Sequence, residues 1–180
     1  MPETLILVDE EDNIIGTEEK LKAHIDGLLH RAFSVMIFNN NGQLLIQKRA
    51  KNKYHSAGLW ANSCCGHPRL GEDNTEAAQR RLQEELGFSC DLVKISELKY
   101  SLKLQNGLYE KEYTHIFAGT YEGNIEPNPD EVSEIKWESL GKLQKKSTLM
   151  PKHYAPWFNL YLNKYYKQIF ENAAKQTSKA

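Results

Sequence analysis

The stretch 66-GHPRLGEDNTEAAQRRLQEELGF-88 decides how the rest of the chain is read. Its first half is a loop, punctuated by Gly66, Pro68 and Gly71. Its second half reads as a helix that starts near Asn74 or Thr75, either of which can cap it. The helix runs through EAAQRRLQEEL and stops at Gly87, a natural residue for the turn after a helix. Arg81 and Glu85 then lie one turn apart on one face. Carboxylates held where a loop feeds a helix suit Mg²⁺, which takes few protein oxygens and leaves room for phosphate oxygens. A solvated helix laced with weak ion pairs explains Glu76, Arg80 and Glu84 equally well. The loop with its two glycines is what favours a binding role for Glu85.

Working outward, 180 residues suffice for a sizeable core and favour a single domain over 1–180. Its core is expected at about 30–170, with a flexible tail at 172–180. Charged residues make up 26% of the chain but sum to a formal net charge of −1, which argues against a general nucleic-acid binder. Three cysteines, Cys64, Cys65 and Cys90, fit a reducing, cytoplasmic setting better than a disulfide scaffold. The start MPETLILVDEEDN lacks the basic and apolar regions of a signal peptide, so none is expected. No apolar run of about 18 residues is present, so no membrane partner is expected.

The pattern is α+β, with a mixed or antiparallel sheet packed between helices. TLILVDEEDNIIGTEEK reads as strand, turn and a second extended piece. RAFSVMIFNNNGQLLIQKRA reads as a hairpin about an Asn/Gly turn. LVKISELKYSLKL and LYEKEYTHIFAGTY form a second antiparallel pair about Gly107, and EIKWESLGKL a short strand with a helical turn. In the last segment, Phe158, Tyr161, Leu162, Tyr165, Ile169 and Phe170 recur at helical spacing and predict one amphipathic helix.

Two further groups carry chemistry. Glu110 and Glu112 are two apart on a strand, so both side chains share one face. Like charges so placed repel unless a cation sits between them or one is protonated. Histidines are available to join them at His24, His30 and His67, although His55, His115 and His153 serve the same spacing argument. Three imidazoles and two carboxylates make a plausible site for Zn²⁺, Mn²⁺ or Mg²⁺.

The spacing of residues 66–88 resembles the Nudix box, G-x5-E-x7-R-E-U-x-E-E-x-G-U, where U is a bulky apolar residue. Every fixed position matches except one, where Arg81 stands in place of glutamate. In Nudix hydrolases that glutamate belongs to the metal-gathering carboxylates. Arg81 removes a negative charge and adds a fixed positive one, which favours holding a diphosphate over hydrolysing it. Together, NSCCGHPRLGE, YEKE and APWF resemble the type 1 isopentenyl-diphosphate isomerases, which have the Nudix fold, an α/β/α sandwich. The likeness runs from GTEEKLKAH to the last helix and suits the compact bacterial form.

That resemblance implies an activity and a set of residues. The family interconverts isopentenyl and dimethylallyl diphosphate by protonation and deprotonation through a tertiary carbocation. Its metal ligands match His24, His30, His67, Glu110 and Glu112. Its catalytic residues match Cys65, Glu112, Tyr100 and Trp157. Glu85 matches the glutamate that helps hold the diphosphate-bound Mg²⁺, and Lys20, Arg49, Lys53 and Arg81 match residues that hold the diphosphate. The expected partner is thus a small isoprenoid diphosphate, and the chain is expected to be a monomer or weak dimer. Each residue has a plainer reading: a buried apolar cysteine for Cys65, core for Trp157, solvated charge for Lys20, Arg49 and Lys53. Two rival functions are a Nudix pyrophosphohydrolase of a nucleoside diphosphate derivative and a non-catalytic diphosphate-binding module.

Overall fold

Residues 3–104 and 106–177 are described by a computed structural model. Nine strands form one mixed sheet: β1 (Thr4–Val8), β2 (Ile14–Glu19), β3 (His30–Phe38), β4 (Leu44–Arg49), β5 (Trp60–Ala61), β6 (Cys64–Gly66), β7 (Val93–Lys103), β8 (Tyr109–Thr120) and β9 (Val132–Glu138). The helices are α1 (Lys20–Asp26), α2 (Asn74–Leu86), α3 (Leu140–Leu149), α4 (Pro156–Asn163) and α5 (Asn172–Thr177).

The hub is β3. It runs parallel to β8 from His30 opposite Glu112 to Phe38 opposite Thr120. Its other edge takes β6 antiparallel, with Ser34 opposite Cys65. Because side chains alternate along a strand, β3 faces two cores. Phe33, Val35 and Ile37 pack with Leu82 and Leu86 of α2. Met36 packs on the opposite face with Trp157, Phe158 and Tyr161 of α4. The result is the expected sandwich of a sheet between helices.

Several local expectations change. The hairpin of β3 and β4 is joined at its turn, where Gly42 holds φ +69°, but pairs only at Phe38 and Leu44. Beyond that point the strands part, and β4 turns to β5 and β9. The gap is bridged by Ser63, whose hydroxyl accepts from the Ile37 N–H at 2.8 Å and donates to the Leu45 carbonyl at 2.7 Å. A side chain thus replaces a ladder bond, because buried backbone groups must be paired. The cap of α2 is Asp73, one residue before the expected Asn74 and two before Thr75; its carboxylate accepts from the N–H groups of Thr75 and Glu76. The helical turn after β9 is a full helix, α3.

The last segment is not one helix. α4 ends at Asn163, and a π-helical turn at Lys167–Glu171 leads into α5. The extra residue per turn keeps Ile169 and Phe170 buried after the break. Within the tail expected at 172–180, Asn172–Thr177 is helical and Ala173 is buried, while 178–180 lie outside the described residues.

Candidate active site

The histidines and glutamates converge at one end of the sheet. The parallel register sets His30 beside Glu112, and Glu110 shares the inward face two residues earlier. His24 arrives on α1, capped by the Glu19 side chain and closed by Gly27 at φ +63°. His67 arrives on the loop after β6. Backbone carbonyls fix two of the rings: Nδ1–H of His24 donates to the Lys20 carbonyl at 2.7 Å, and that of His30 to the Leu28 carbonyl at 2.8 Å. A carbonyl can only accept, so each Nε2 keeps a lone pair aimed inward.

Nε2 of His24 has the Tyr54 hydroxyl at 3.4 Å, but other atoms of the cluster lack partners. Nε2 of His30, both ring nitrogens of His67 and Oε2 of Glu110 are buried without a hydrogen bond. Leaving such groups unpaired costs about 1–3 kcal/mol each. One donor atom from each of His24, His30 and His67 lies within 4.8 Å of the others, and so do those of His30, Glu110 and Glu112. Nε2 of His67 is 3.6 Å from Glu112 Oε1, and Nε2 of His24 is 3.5 Å from Glu110 Oε2. The orphaned atoms and the mixed N/O donor set fit a divalent cation. Burial pulls the His30 imidazole down to about 3, keeping it neutral and able to donate its lone pair. Burial, then the charge of Glu110, pushes the Glu112 carboxyl up. For Glu110 burial acts the same way but loses to the adjacent imidazoles of His24 and His55, which hold it well below the usual range.

Above this cluster is a wall of thiol, phenol and indole. Tyr100, opposite Glu112 across β7 and β8, donates a short hydrogen bond to Glu112 Oε2. The Cys65 thiol donates to Asn62 Oδ1 at 3.2 Å, and the Trp157 indole N–H donates to the same oxygen at 3.2 Å. Ser34 Oγ lies 3.4 Å from Cys65 Sγ and 3.0 Å from the Tyr161 hydroxyl, which lies 3.4 Å from the Tyr100 hydroxyl. Cys65 and Glu112 are therefore the two ends of one hydrogen-bonded chain. Burial pushes the Cys65 thiol up to about 12, so it stays protonated. Cys64 points to the other face, fully buried among Phe33, Leu82 and their neighbours.

The cations gather at the mouth of the same cleft, which has a volume of about 470 Å³. Arg81 reaches Glu84 at 2.6 Å, Glu85 at 2.5 Å and Glu131 at 3.2 Å. Lys53 also pairs with Glu131, and Lys20 with Glu3 at 2.8 Å. The Arg49 guanidinium lies over the Trp157 ring, 5.2 Å from its centroid. Glu85 is buried, with Oε2 accepting from the Gln47 amide at 2.7 Å.

The residues that the family resemblance assigned to the site thus meet in one place: eleven of their side chains line the cleft, and His24 and His30 are fully buried beside them. Sequence reasoning missed others. His55 was one of several interchangeable histidines, yet its Nε2 is 3.0 Å from Glu110 Oε1. Asn62, Ser34 and Tyr161 carried no signal, because only the packing of α4 on β3 and β6 brings them to the thiol. Glu3 and Glu131, which hold Lys20, Lys53 and Arg81, looked like ordinary surface charge.

Comparison with known proteins identifies the family. The NUDIX domain family matches residues 28–160. A Photorhabdus laumondii protein named isopentenyl-diphosphate Delta-isomerase 2 is 52% identical over 163 residues, covering 91% of this chain and 92% of the relative. A Serratia proteamaculans isopentenyl-diphosphate Delta-isomerase is 49% identical, covering 88% of each. Among solved structures, DR0079 from Deinococcus radiodurans superposes with a TM-score of 0.75 at 18% identity, over 90% of this chain and 98% of its own. A MutT protein from Methanosarcina mazei superposes at 0.64 and 19%, over 78% and 94%. Those two likenesses speak for the fold alone. The chain belongs to the NUDIX domain family and, within it, groups with the isopentenyl-diphosphate Delta-isomerases.

Proposed function

We propose that the protein interconverts isopentenyl diphosphate and dimethylallyl diphosphate by moving one proton on and another off the carbon skeleton. The observation that carries this reading is the convergence of a half-buried, protonated thiol and a buried carboxylate on a cleft also lined by cations. An unactivated alkene is hard to protonate, and the tertiary cation it forms reacts with water. The site must therefore supply an acid, a base and a dry enclosure.

Cys65 and Glu112 are the acid–base pair, one delivering a proton as the other accepts one; the reaction is reversible and both directions use both groups. Tyr100 holds Glu112 through its hydroxyl. Trp157 offers a π face to the cation without an atom that traps it, worth about 2 kcal/mol when desolvated. Lys20, Arg49, Lys53 and Arg81 take the diphosphate, and Lys20, Lys53 and Arg81 release carboxylate partners as they do so. Remote binding energy then positions the alkene. His24, His30, His67, Glu110 and Glu112 would hold Mn²⁺, Zn²⁺ or Mg²⁺, and Glu85 a Mg²⁺ shared with the diphosphate; these ions would acidify the Glu112 network and screen phosphate charge. Arg81 in the place of a hydrolase carboxylate favours isomerisation over pyrophosphohydrolysis. The enzyme acts on a small molecule in the cytoplasm, as a monomer or weak dimer.

The test is incubation of the metal-loaded protein with isopentenyl diphosphate in D₂O, followed by NMR. Deuterated dimethylallyl diphosphate is expected. Phosphate release from nucleotides with no allylic product would refute the reading in favour of a hydrolase. Diphosphate binding without any turnover would favour a non-catalytic module.

A further inference from the structure

The two oxygens of Glu110 have different surroundings. Oε1 lies 3.0 Å from Nε2 of His55. Oε2 is buried with no hydrogen-bond partner and faces His24 Nε2 at 3.5 Å. A glutamate's last torsion is soft, so an unheld carboxylate turns readily. We propose that His55 is a positioning residue: its Nε2–H holds Oε1 and so presents Oε2 to the cation, while the ring edge braces Trp157. The proposal rests on the metal site assigned above.

Three features support it. The His55 ring meets the Trp157 ring edge-on, with centroids 5.8 Å apart and planes at 83°. The His55 carbonyl accepts from the Arg49 guanidinium at 3.3 Å, and that guanidinium lies over the same indole. One residue therefore touches a proposed metal carboxylate, the proposed cation-stabilising ring and a proposed diphosphate cation. Next to it, Ser56 holds φ +50°, a left-handed conformation uncommon for a non-glycine residue. Such backbone persists where its surroundings over-determine it. The rival role is direct ligation, since His55, His24 and Glu110 each offer an atom within 4.8 Å of the others. The ring nitrogens argue against it: Nε2 is engaged by Glu110, and Nδ1 faces Ser56 Oγ at 3.4 Å.

The test uses the full chain stripped of metal and titrated with Co²⁺ alone, read by visible absorption. Outer partners of metal ligands typically contribute 10–100-fold in affinity. His55→Phe keeps the ring volume against Trp157 and removes the N–H. It is expected to weaken Co²⁺ binding at least tenfold, with the saturated spectrum and the melting temperature of the metal-free protein unchanged. His55→Gln, which restores a donor, is expected to recover most of the affinity. Equal affinity in wild type and His55→Phe would overturn the proposal while leaving the metal site standing. So would a changed saturated spectrum, which would make His55 a ligand, or a loss in His55→Phe that His55→Gln does not recover. No Co²⁺ uptake by the wild type would remove the metal site itself, and the proposal with it.

Discussion

Cys64 and Cys65 are adjacent and chemically identical, yet the strand sends them to opposite faces of the sheet. Cys65 meets Asn62 and Ser34 in the cleft, whereas Cys64 is fully enclosed by the α2 core. Cys65→Ala is therefore expected to abolish turnover. Cys64→Ala should keep it and lose only about 1 kcal/mol of stability, as a small core truncation does. Equal loss of activity from both, measured by steady-state kinetics, would mean that the assigned thiol is wrong. Arg81 makes the same point for charge. It is tied to Glu84, Glu85 and Glu131, so its truncation removes a proposed diphosphate contact and also leaves Glu85 buried without its cation. Arg81→Lys, which keeps the charge but not the fork, is expected to raise KM for the diphosphate at least tenfold. An unchanged KM would remove Arg81 from the clamp.

At the scale of elements, the parting of β3 from β4 opens the sheet where β6 enters and Cys65 is displayed. Ser63 is the residue that keeps this opening satisfied, through Ile37 and Leu45. Ser63→Ala leaves two buried backbone groups unpaired and is expected to cost about 1–3 kcal/mol, seen as a lower urea midpoint at constant slope. A shift within a few tenths of a kcal/mol would mean that other partners fill the gap. α4 acts differently: it brings Tyr161 between Ser34 and Tyr100, completing the chain from thiol to carboxylate. Tyr161→Phe preserves the packing and removes the link. It is expected to lower kcat several-fold with the melting temperature nearly unchanged, and wild-type kcat would exclude a catalytic use of the chain.

For the whole molecule, the site is a destabilising feature that a cation would relieve. His30 is buried neutral, with its folded value near 3 against an ordinary value of 6.5. The unfolded chain takes up the proton first as pH falls, so the His30 contribution is fully present above about 6.5 and is lost progressively toward about 3. The metal-free protein is therefore expected to lose stability between pH 7 and 5, at up to about 1.4 kcal/mol per pH unit from this group. His30→Gln should flatten that slope in denaturant titrations made with a chelator. An equally steep slope in the variant would place its origin elsewhere.

The box at 66–88 was legible because its loop and helix are local: spacing alone sets Arg81 one turn from Glu85, and Gly87 ends the helix at φ +75°. Strand alternation likewise put Glu110 and Glu112 on one face before any fold was known. His24, His30 and His67, the proposed metal histidines, were singled out only through family resemblance, since His55, His115 and His153 fitted the spacing as well. The cap at Asp73 and the break before the π-helical turn were misread by a few residues. Such ends depend on how each element packs.

The choice of Cys65 over Cys64 rested on family resemblance, whereas the amino-acid sequence by itself determined the α+β class and the loop and helix that carry Glu85 and Arg81. These follow from periodicity, turn chemistry and motif spacing, all of which act over a few residues. Only the tertiary structure decided that His55 holds Glu110, that Asn62 joins the thiol to Trp157, and that Glu131 and Glu3 hold the cations. Those contacts join residues far apart in the chain, set by the register of β3 against β6 and β8 and by where α4 comes to rest on the sheet. No local pattern encodes them, because each is a consequence of packing the whole.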